Sequence, residues 1–282
     1  MSAGRDPFSA YVRRTPLLPL GTGIYAKAES LQTRGSYKIR GLANVFRRRG
    51  LDAFRGGVSS VSAGNLGQSL AYLAAEFALP CRIEVPDSAP RVKKDAIRAL
   101  GAELVERPFS EIWARVLEPS RDPSFVHPCF DEDLRAGYAS IAEEMLSDEP
   151  RLDAIVVPYG LGGLCLGIAT ALERIAPGVR VYSADVVPEG KSSLADAIGT
   201  PARVPEIHRQ VSPLLAGCVA VREAAVADSI RRLYRDFGLP VEGAAAVAYA
   251  AAERLRKENG PEKIGCLLTG RNIDPEKLFG LL

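Results

Sequence analysis

Short β-branched runs alternate with stretches of about ten to fifteen residues of helical apolar spacing along nearly the whole chain, and this limits the possible folds most. The pattern predicts strands over 23–28, 57–62, 81–85, 102–106, 125–127, 153–158, 179–184, 218–221 and 263–268, after a short extended start at 15–18. Helices are predicted from Lys38 to Gly50, through Leu70, Leu73, Ala74 and Phe77, over 91–100, 110–117 and 132–146, up to Ile175, and over 223–237 and 242–257. Strands separated by helices of this length pair in parallel with both faces covered, which makes the chain α/β. The Pro-, Ser- and Gly-rich stretch 186–213 reads as an excursion, because the alternation resumes after it. The small apolar residues of 244–252 predict a helix packed closely in a core.

Composition removes several classes of function. With 47% hydrophobic and 25% charged residues in 282, the chain has the make-up of an ordinary globular protein of one large or two smaller domains. A net charge of +2 gives no electrostatic case for a nucleic-acid or membrane partner, and Arg47-Arg48-Arg49 suits the dipole at a helix end. The first fourteen residues lack the apolar core of a signal peptide and no apolar run reaches membrane-spanning length, so the cytoplasm is the expected compartment. Cys81, Cys129, Cys165, Cys218 and Cys266 are scattered without metal-ligand spacing and read as buried free thiols. His127 and His208 are too isolated for a zinc site or a Ser-His-Asp arrangement, so no metal is expected and any chemistry must rest on other residues.

Lys38 is the first candidate. In Gly35-Ser36-Tyr37-Lys38-Ile39-Arg40-Gly41 it falls in the first turn of a helix behind a Ser36 cap, where the positive end of the dipole opposes a cation and favours an uncharged, nucleophilic amine. A solvated surface lysine is the other reading. Four loops at predicted strand ends can take part in chemistry, since ligands of parallel α/β sheets gather there. Gly160-Leu161-Gly162-Gly163-Leu164 can present free N–H groups and a helix dipole to a phosphate, or be a tight turn, or half of a dinucleotide site with Asp185. Ser62-Ala63-Gly64-Asn65 offers a hydroxyl, an amide and backbone donors, or simply caps a helix. Thr269-Gly270-Arg271-Asn272 closes the last strand and can be only a turn, and Glu242 can be only a dipole-compensating carboxylate.

Taken together and in this order, Lys38, the Asn65 loop, the Gly160 loop, Glu242 and Thr269 resemble the fold-type II pyridoxal-phosphate enzymes, in particular the serine/threonine dehydratase group. The resemblance runs from Thr15-Pro16-Leu17 through Lys27, Glu29 and Gln32 to Asn272-Ile273-Asp274. It implies two parallel-sheet three-layer domains with the cofactor in the cleft between them: residues 1–41 plus 138–282 as a large cofactor-binding domain and 42–137 as a smaller substrate-binding domain. It further implies pyridoxal 5'-phosphate held as a Schiff base on Lys38, which then moves the substrate's α-proton, and Asn65 facing the cofactor's phenolic oxygen. Ser62, Ala63 and Gly64 would hold the substrate carboxylate with Asn65, and Gly160, Leu161, Gly162, Gly163 and Leu164 the phosphate. Thr269 would meet the pyridine nitrogen with a neutral hydroxyl, which tempers the electron sink and favours elimination over transamination, and Glu242 would stand near the cofactor. The implied activity is α,β-elimination of a hydroxy amino acid to a 2-oxo acid and ammonia, by a homodimer with a small-molecule amino-acid substrate.

The chain departs from that pattern at Arg34, Leu161, Arg271, Tyr138, Ala63 and Leu66. Ala63 offers no second proton donor, which argues against racemisation. Arg34 and Arg271 suit a substrate or leaving group of extra negative charge, such as a hydroxy-dicarboxylate or a phosphorylated amino acid, with Arg34 in the substrate site; the alternative is that both face solvent. A β- or γ-replacement synthase, a non-catalytic relative and, remotely, a dinucleotide-dependent dehydrogenase are the other functions open to this sequence. With the chain ending at Leu282, an appended regulatory domain is not expected.

Overall fold

The computed structural model of the chain describes residues 7–21, 23–187, 189, 193–195, 198, 203–258 and 260–282. In chain order the strands are β1 (Leu17–Pro19), β2 (Ile24–Lys27), β3 (Val58–Val61), β4 (Cys81–Pro86), β5 (Glu103–Arg107), β6 (Ala154–Pro158), β7 (Arg180–Val187), β8 (Gly217–Arg222) and β9 (Ile264–Leu267). The helices are α1 (Lys38–Arg49), α2 (Asn65–Glu76), α3 (Arg91–Arg98), α4 (Phe109–Leu117), α5 (Glu132–Gly137), α6 (Ala139–Asp148), α7 (Gly163–Ile175), α8 (Pro205–Val211), α9 (Glu223–Phe237), α10 (Gly243–Lys257) and α11 (Pro275–Leu281). The chain divides into two compact units: the described residues up to Arg13 with Lys38–Gly137, and Arg14–Tyr37 with Tyr138–Leu282.

The first unit is built on the parallel sheet β3-β4-β5. α1 presents Ile39, Leu42, Val45 and Phe46 at helical spacing, all fully buried, and packs against α2 and α5. Phe8 stacks on Phe46 and tilts against Phe77, so the N-terminal segment closes this core. The approach of α5 to α1 is close enough to require glycine, since a Cβ on Gly137 would lie 2.6 Å from the Arg40 carbonyl oxygen.

The second unit carries a six-stranded sheet of order β1-β2-β9-β6-β7-β8, parallel except for β1, which runs antiparallel to β2 at the edge. β6 and β9 are wholly buried, as continuous apolar runs in a sheet covered on both faces must be. α10 lies across them, and its Ala244–Ala252 stretch is buried, small side chains letting the helix approach the sheet. Lys27 at the end of β2 is fully buried; its Nζ donates to Glu144 Oε2 on α6 and to the Thr15 carbonyl, both at 2.6 Å.

Several expectations are corrected. No strand forms at 125–127, where a single parallel bridge joins Ser59 and Phe125. The helix expected over 132–146 is two helices with Tyr138 between them, because Gly137 is claimed by α1 while the Tyr138 ring packs on Tyr37 at 4.9 Å. The stretch 186–213 contains α8, and part of it lies outside the described residues. Ser36 stands one residue too early to cap α1; its backbone is extended and bridges Gly270. All five thiols are free, but Cys218 is exposed and Cys81 half-buried.

His127 explains why the chain turns after the Phe125 bridge. Its Nδ1 accepts from the backbone N–H of Cys129 (3.2 Å) and Phe130 (3.0 Å), and its Nε2–H donates to the Arg115 carbonyl at 3.1 Å. Burial pushes the imidazole down from 6.5 to about 4, so it folds neutral. A group with a depressed folded value contributes stability above its unfolded value that is lost on acidification. Urea titrations should therefore show a loss of about 3 kcal/mol as pH falls from 6.5 to about 4. His127→Gln should flatten that part of the curve; an equal slope in the variant would show that His127 is not its source.

Candidate functional site

The candidates of the second unit gather because β6 and β9 are parallel neighbours, with Val156 opposite Cys266. Their carboxyl ends emerge side by side, where the strand order reverses between β9 and β6. From β6 the chain runs into Gly160 at φ +53° and Gly162 at φ +84°, and Gly162 caps α7. A helix entered this way leaves its first N–H groups without intrahelical partners, which suits an anion. A Cβ on Gly162 would meet Ile207 Cγ2 at 2.7 Å besides being strained at that φ. Leu161 is half-buried and Leu164 buried.

From β9 the chain reaches Thr269, which is 3% exposed and whose Oγ1 is buried with no hydrogen-bond partner among the described residues. An orphaned buried hydroxyl is costly unless a ligand meets it. The Tyr37 N–H donates to the Thr269 carbonyl at 3.1 Å, and the Glu242 N–H to the Gly270 carbonyl at 2.9 Å. The Glu242 carboxylate lies over Gly270, 2.6 Å from where a Cβ would be. Arg34 adopts φ +59° in the turn before Ser36, an uncommon place for a residue with a side chain. Its carbonyl accepts from Asn272 Nδ2 at 3.0 Å, and Gly35 accepts from the Arg271 N–H at 3.0 Å. Arg34 and Arg271 are thus neighbours, and both are exposed.

The phosphate-loop candidate has a support that sequence reading missed. Tyr159 is 2% exposed; its hydroxyl hydrogen-bonds His208 Nδ1 at 3.1 Å, and Arg203 lies 4.1 Å over its ring while pairing with Asp185 at 2.5 Å. Burial pushes the phenol up to about 12, so it stays protonated. Asp185 is committed to Arg203, which removes it as a ribose partner and weakens the dinucleotide alternative. Arg203 and His208 lie in the Pro-, Ser- and Gly-rich stretch, where no periodicity singles them out.

The first unit holds the remaining candidates. Lys38 is the first residue of α1 and is half-buried. Ser62-Ala63-Gly64 connects β3 to α2, whose first residue is Asn65; all four are half-buried, and the Gly64 N–H donates to Ser62 Oγ at 3.2 Å. Gly64 caps α2 without a side chain, so N–H groups remain for a ligand carboxylate. Among the described residues no group of three or more His, Cys, Asp or Glu could hold a metal.

The two sets offer complementary chemistry: a lysine at a helix start and a carboxylate cradle in one unit, an anion cradle and an orphaned hydroxyl in the other. The family described as pyridoxal-phosphate dependent enzyme matches residues 8–270. L-threonine ammonia-lyase of Geobacter sulfurreducens is 35% identical, over 95% of this chain and 74% of that protein. L-threo-3-hydroxyaspartate ammonia-lyase of Pseudomonas sp is 30% identical, over 99% of this chain and 93% of that protein. The processed form of threonine deaminase isoform 2 from Solanum lycopersicum superposes with a TM-score of 0.84 at 26% identity, covering 98% of this chain and 84% of that one. The chain belongs to the pyridoxal-phosphate-dependent enzymes of fold type II.

Proposed function

We propose that the protein is an ammonia-lyase that eliminates water across Cα and Cβ of a hydroxy amino acid such as serine or threonine, the released enamine then hydrolysing to a 2-oxo acid and ammonia. The observation that carries this reading is the buried, unpartnered Thr269 hydroxyl at the end of β9. A neutral partner at the ring nitrogen favours elimination over transamination. The ammonia-lyase names of the two relatives support it.

When bound, pyridoxal phosphate supplies the electron sink that makes the substrate's Cα–H acidic. Lys38 would carry it covalently and, once freed by the substrate amine, its Nζ would take the Cα proton. The N–H groups at the start of α7, with Gly160, Leu161, Gly162, Gly163 and Leu164, would hold the phosphate. Ser62, Ala63, Gly64 and Asn65 would fix the substrate carboxylate by the Ser62 hydroxyl and backbone donors, with Asn65 also turned to the phenolic oxygen. Glu242, held over Gly270, would set the polarity around the ring.

Arg34 is exposed, so a screened attraction for anionic substrates fits it better than a tight contact. The large-domain role falls to the second unit and the substrate-domain role to the first. We place the protein in the cytoplasm as a homodimer: five free thiols suit a reducing compartment, and no helix among the described residues is long and apolar enough to cross a membrane. Sedimentation tests the dimer.

Purified protein incubated with the cofactor should gain a visible absorption band that Lys38→Ala removes, and should release 2-oxo acid and ammonia from L-serine, L-threonine or 3-hydroxyaspartate. A product carrying an added nucleophile, with no 2-oxo acid, would overturn the lyase reading in favour of a replacement synthase. Gly162→Ala should speed cofactor loss on dialysis and cost about 1–3 kcal/mol in unfolding. Arg34→Ser should leave kcat within about threefold and raise KM for a dianionic substrate only at low salt.

A further inference from the structure

In the second unit, the turn that opens α7 is backed by a hydrogen-bonded cluster whose polarity admits one arrangement. The Gly162 N–H donates to the Tyr159 carbonyl at 2.8 Å, closing a tight turn after β6. The Tyr159 ring folds back against that turn: a Cβ on Gly162 would stand 3.1 Å from the phenolic oxygen and 2.7 Å from Ile207 Cγ2 on α8. The position of the phenol therefore limits where the backbone of the loop can lie.

What holds the phenol is His208 on α8. Its Nδ1 lies 3.1 Å from the Tyr159 hydroxyl and 3.5 Å from Arg203 Nη1, and a guanidinium can only donate. The phenol keeps its proton, since burial pushes it up to about 12. Nδ1 is therefore assigned as the acceptor and Nε2 as the protonated nitrogen. The Ser212 hydroxyl touches Nδ1 at 3.1 Å and Nε2 at 3.3 Å, so it can receive the Nε2 proton. The charges around the ring are settled: Arg203 donates to Asp185 on β7 at 2.5 Å and to the Cys218 thiol on β8 at 3.6 Å, while Glu206 and Arg209 of α8 pair with each other. A proton on Nδ1 would take the acceptor from a phenol that is 2% exposed and set a second cation 3.5 Å from the guanidinium.

We propose that His208 is a positioning residue for the cofactor phosphate: its uncharged ring holds the Tyr159 phenol behind the 160–164 loop, and taking up a proton loosens the loop and its hold on the phosphate. This rests on the reading above that the loop binds the phosphate, and not on the elimination step. His208 acts through Tyr159 rather than on the substrate.

Cofactor release from the loaded enzyme after dilution, followed by loss of its visible band, tests this without turnover, and phosphorus NMR of the bound cofactor reports on the phosphate itself. At about pH 8, Tyr159→Phe and His208→Leu should release cofactor roughly 5- to 10-fold faster than wild type, while His208→Gln, which keeps an uncharged acceptor, should stay within about twofold. On acidification to about pH 5.5, a range in which imidazoles gain protons, wild type should speed up by a similar factor relative to His208→Gln. The covalent link to Lys38 answers pH in every variant, so each is compared with wild type at the same pH. Acid should also move the wild-type phosphorus resonance toward that of Tyr159→Phe, a change His208→Gln should not follow. Arg209→Gln, an exposed change on the same helix, should track wild type throughout. Equal release by wild type and His208→Gln at both pH values, or wild-type release by Tyr159→Phe, overturns the proposal. So does a His208→Gln that loses cofactor as fast as His208→Leu, the mark of a merely structural role. If His208→Leu does not fold, the glutamine and phenylalanine variants decide. If Gly162→Ala retains cofactor as wild type does, the phosphate is not held by this loop and the proposal falls with that reading. If Gly162→Ala releases it and the His208 and Tyr159 variants do not, the loop reading stands and the role of His208 alone is overturned.

Discussion

The second unit depends on the parallel pairing of β6 with β9. Both strands are apolar throughout, buried on both faces, and in register from Ala154 opposite Ile264. That pairing brings the turn after Pro158 and the turn after Leu267 to one edge of the sheet, although more than a hundred residues of chain separate them. Everything proposed for cofactor binding in this unit hangs on those two ends: the N-terminus of α7, the Thr269 hydroxyl, and Glu242 tied by its amide to Gly270.

Thr269 also has a mechanical role. Its carbonyl receives the Tyr37 amide, so the strand that ends with the orphaned hydroxyl fixes the residue immediately before Lys38. The bridge between Ser36 and Gly270, and the contacts of Arg34 and Gly35 with Asn272 and Arg271, extend this seam. The backbone of the second unit up to Tyr37 is thus anchored to the β9 end. The aromatic pair Tyr37 and Tyr138 reinforces the seam at the other point where the chain changes units.

Much of this was legible in the sequence because it follows from local rules. The βα alternation, the buried runs of β6 and β9, the small-residue helix α10, the glycines before α7 and the position of Lys38 at a helix start are set by periodicity and turn chemistry. What was not legible depends on partners distant in sequence. The break at Tyr138 follows from packing of neighbouring residues on different elements, and the failure of a strand at 125–127 from a histidine that accepts two backbone amides just beyond it. Arg203 and His208 sit in a stretch without periodicity, so their convergence on Tyr159 had no signal. Cys218 was read as buried from its apolar neighbours, but it alternates outward on β8.

The sequence by itself determined the α/β class, the family and the residue types available for covalent and anion-binding chemistry, because each is written in spacing, composition and short contiguous motifs. Tertiary structure alone decided which of those residues meet within each unit and which hydroxyl is left without a partner among the described residues. Thr269 shows the difference. In sequence it is one more residue of a turn, and only the fold leaves its hydroxyl buried with no hydrogen-bond partner among the described residues. Burial and charge balance are properties of a neighbourhood, and a neighbourhood exists only once the chain has folded.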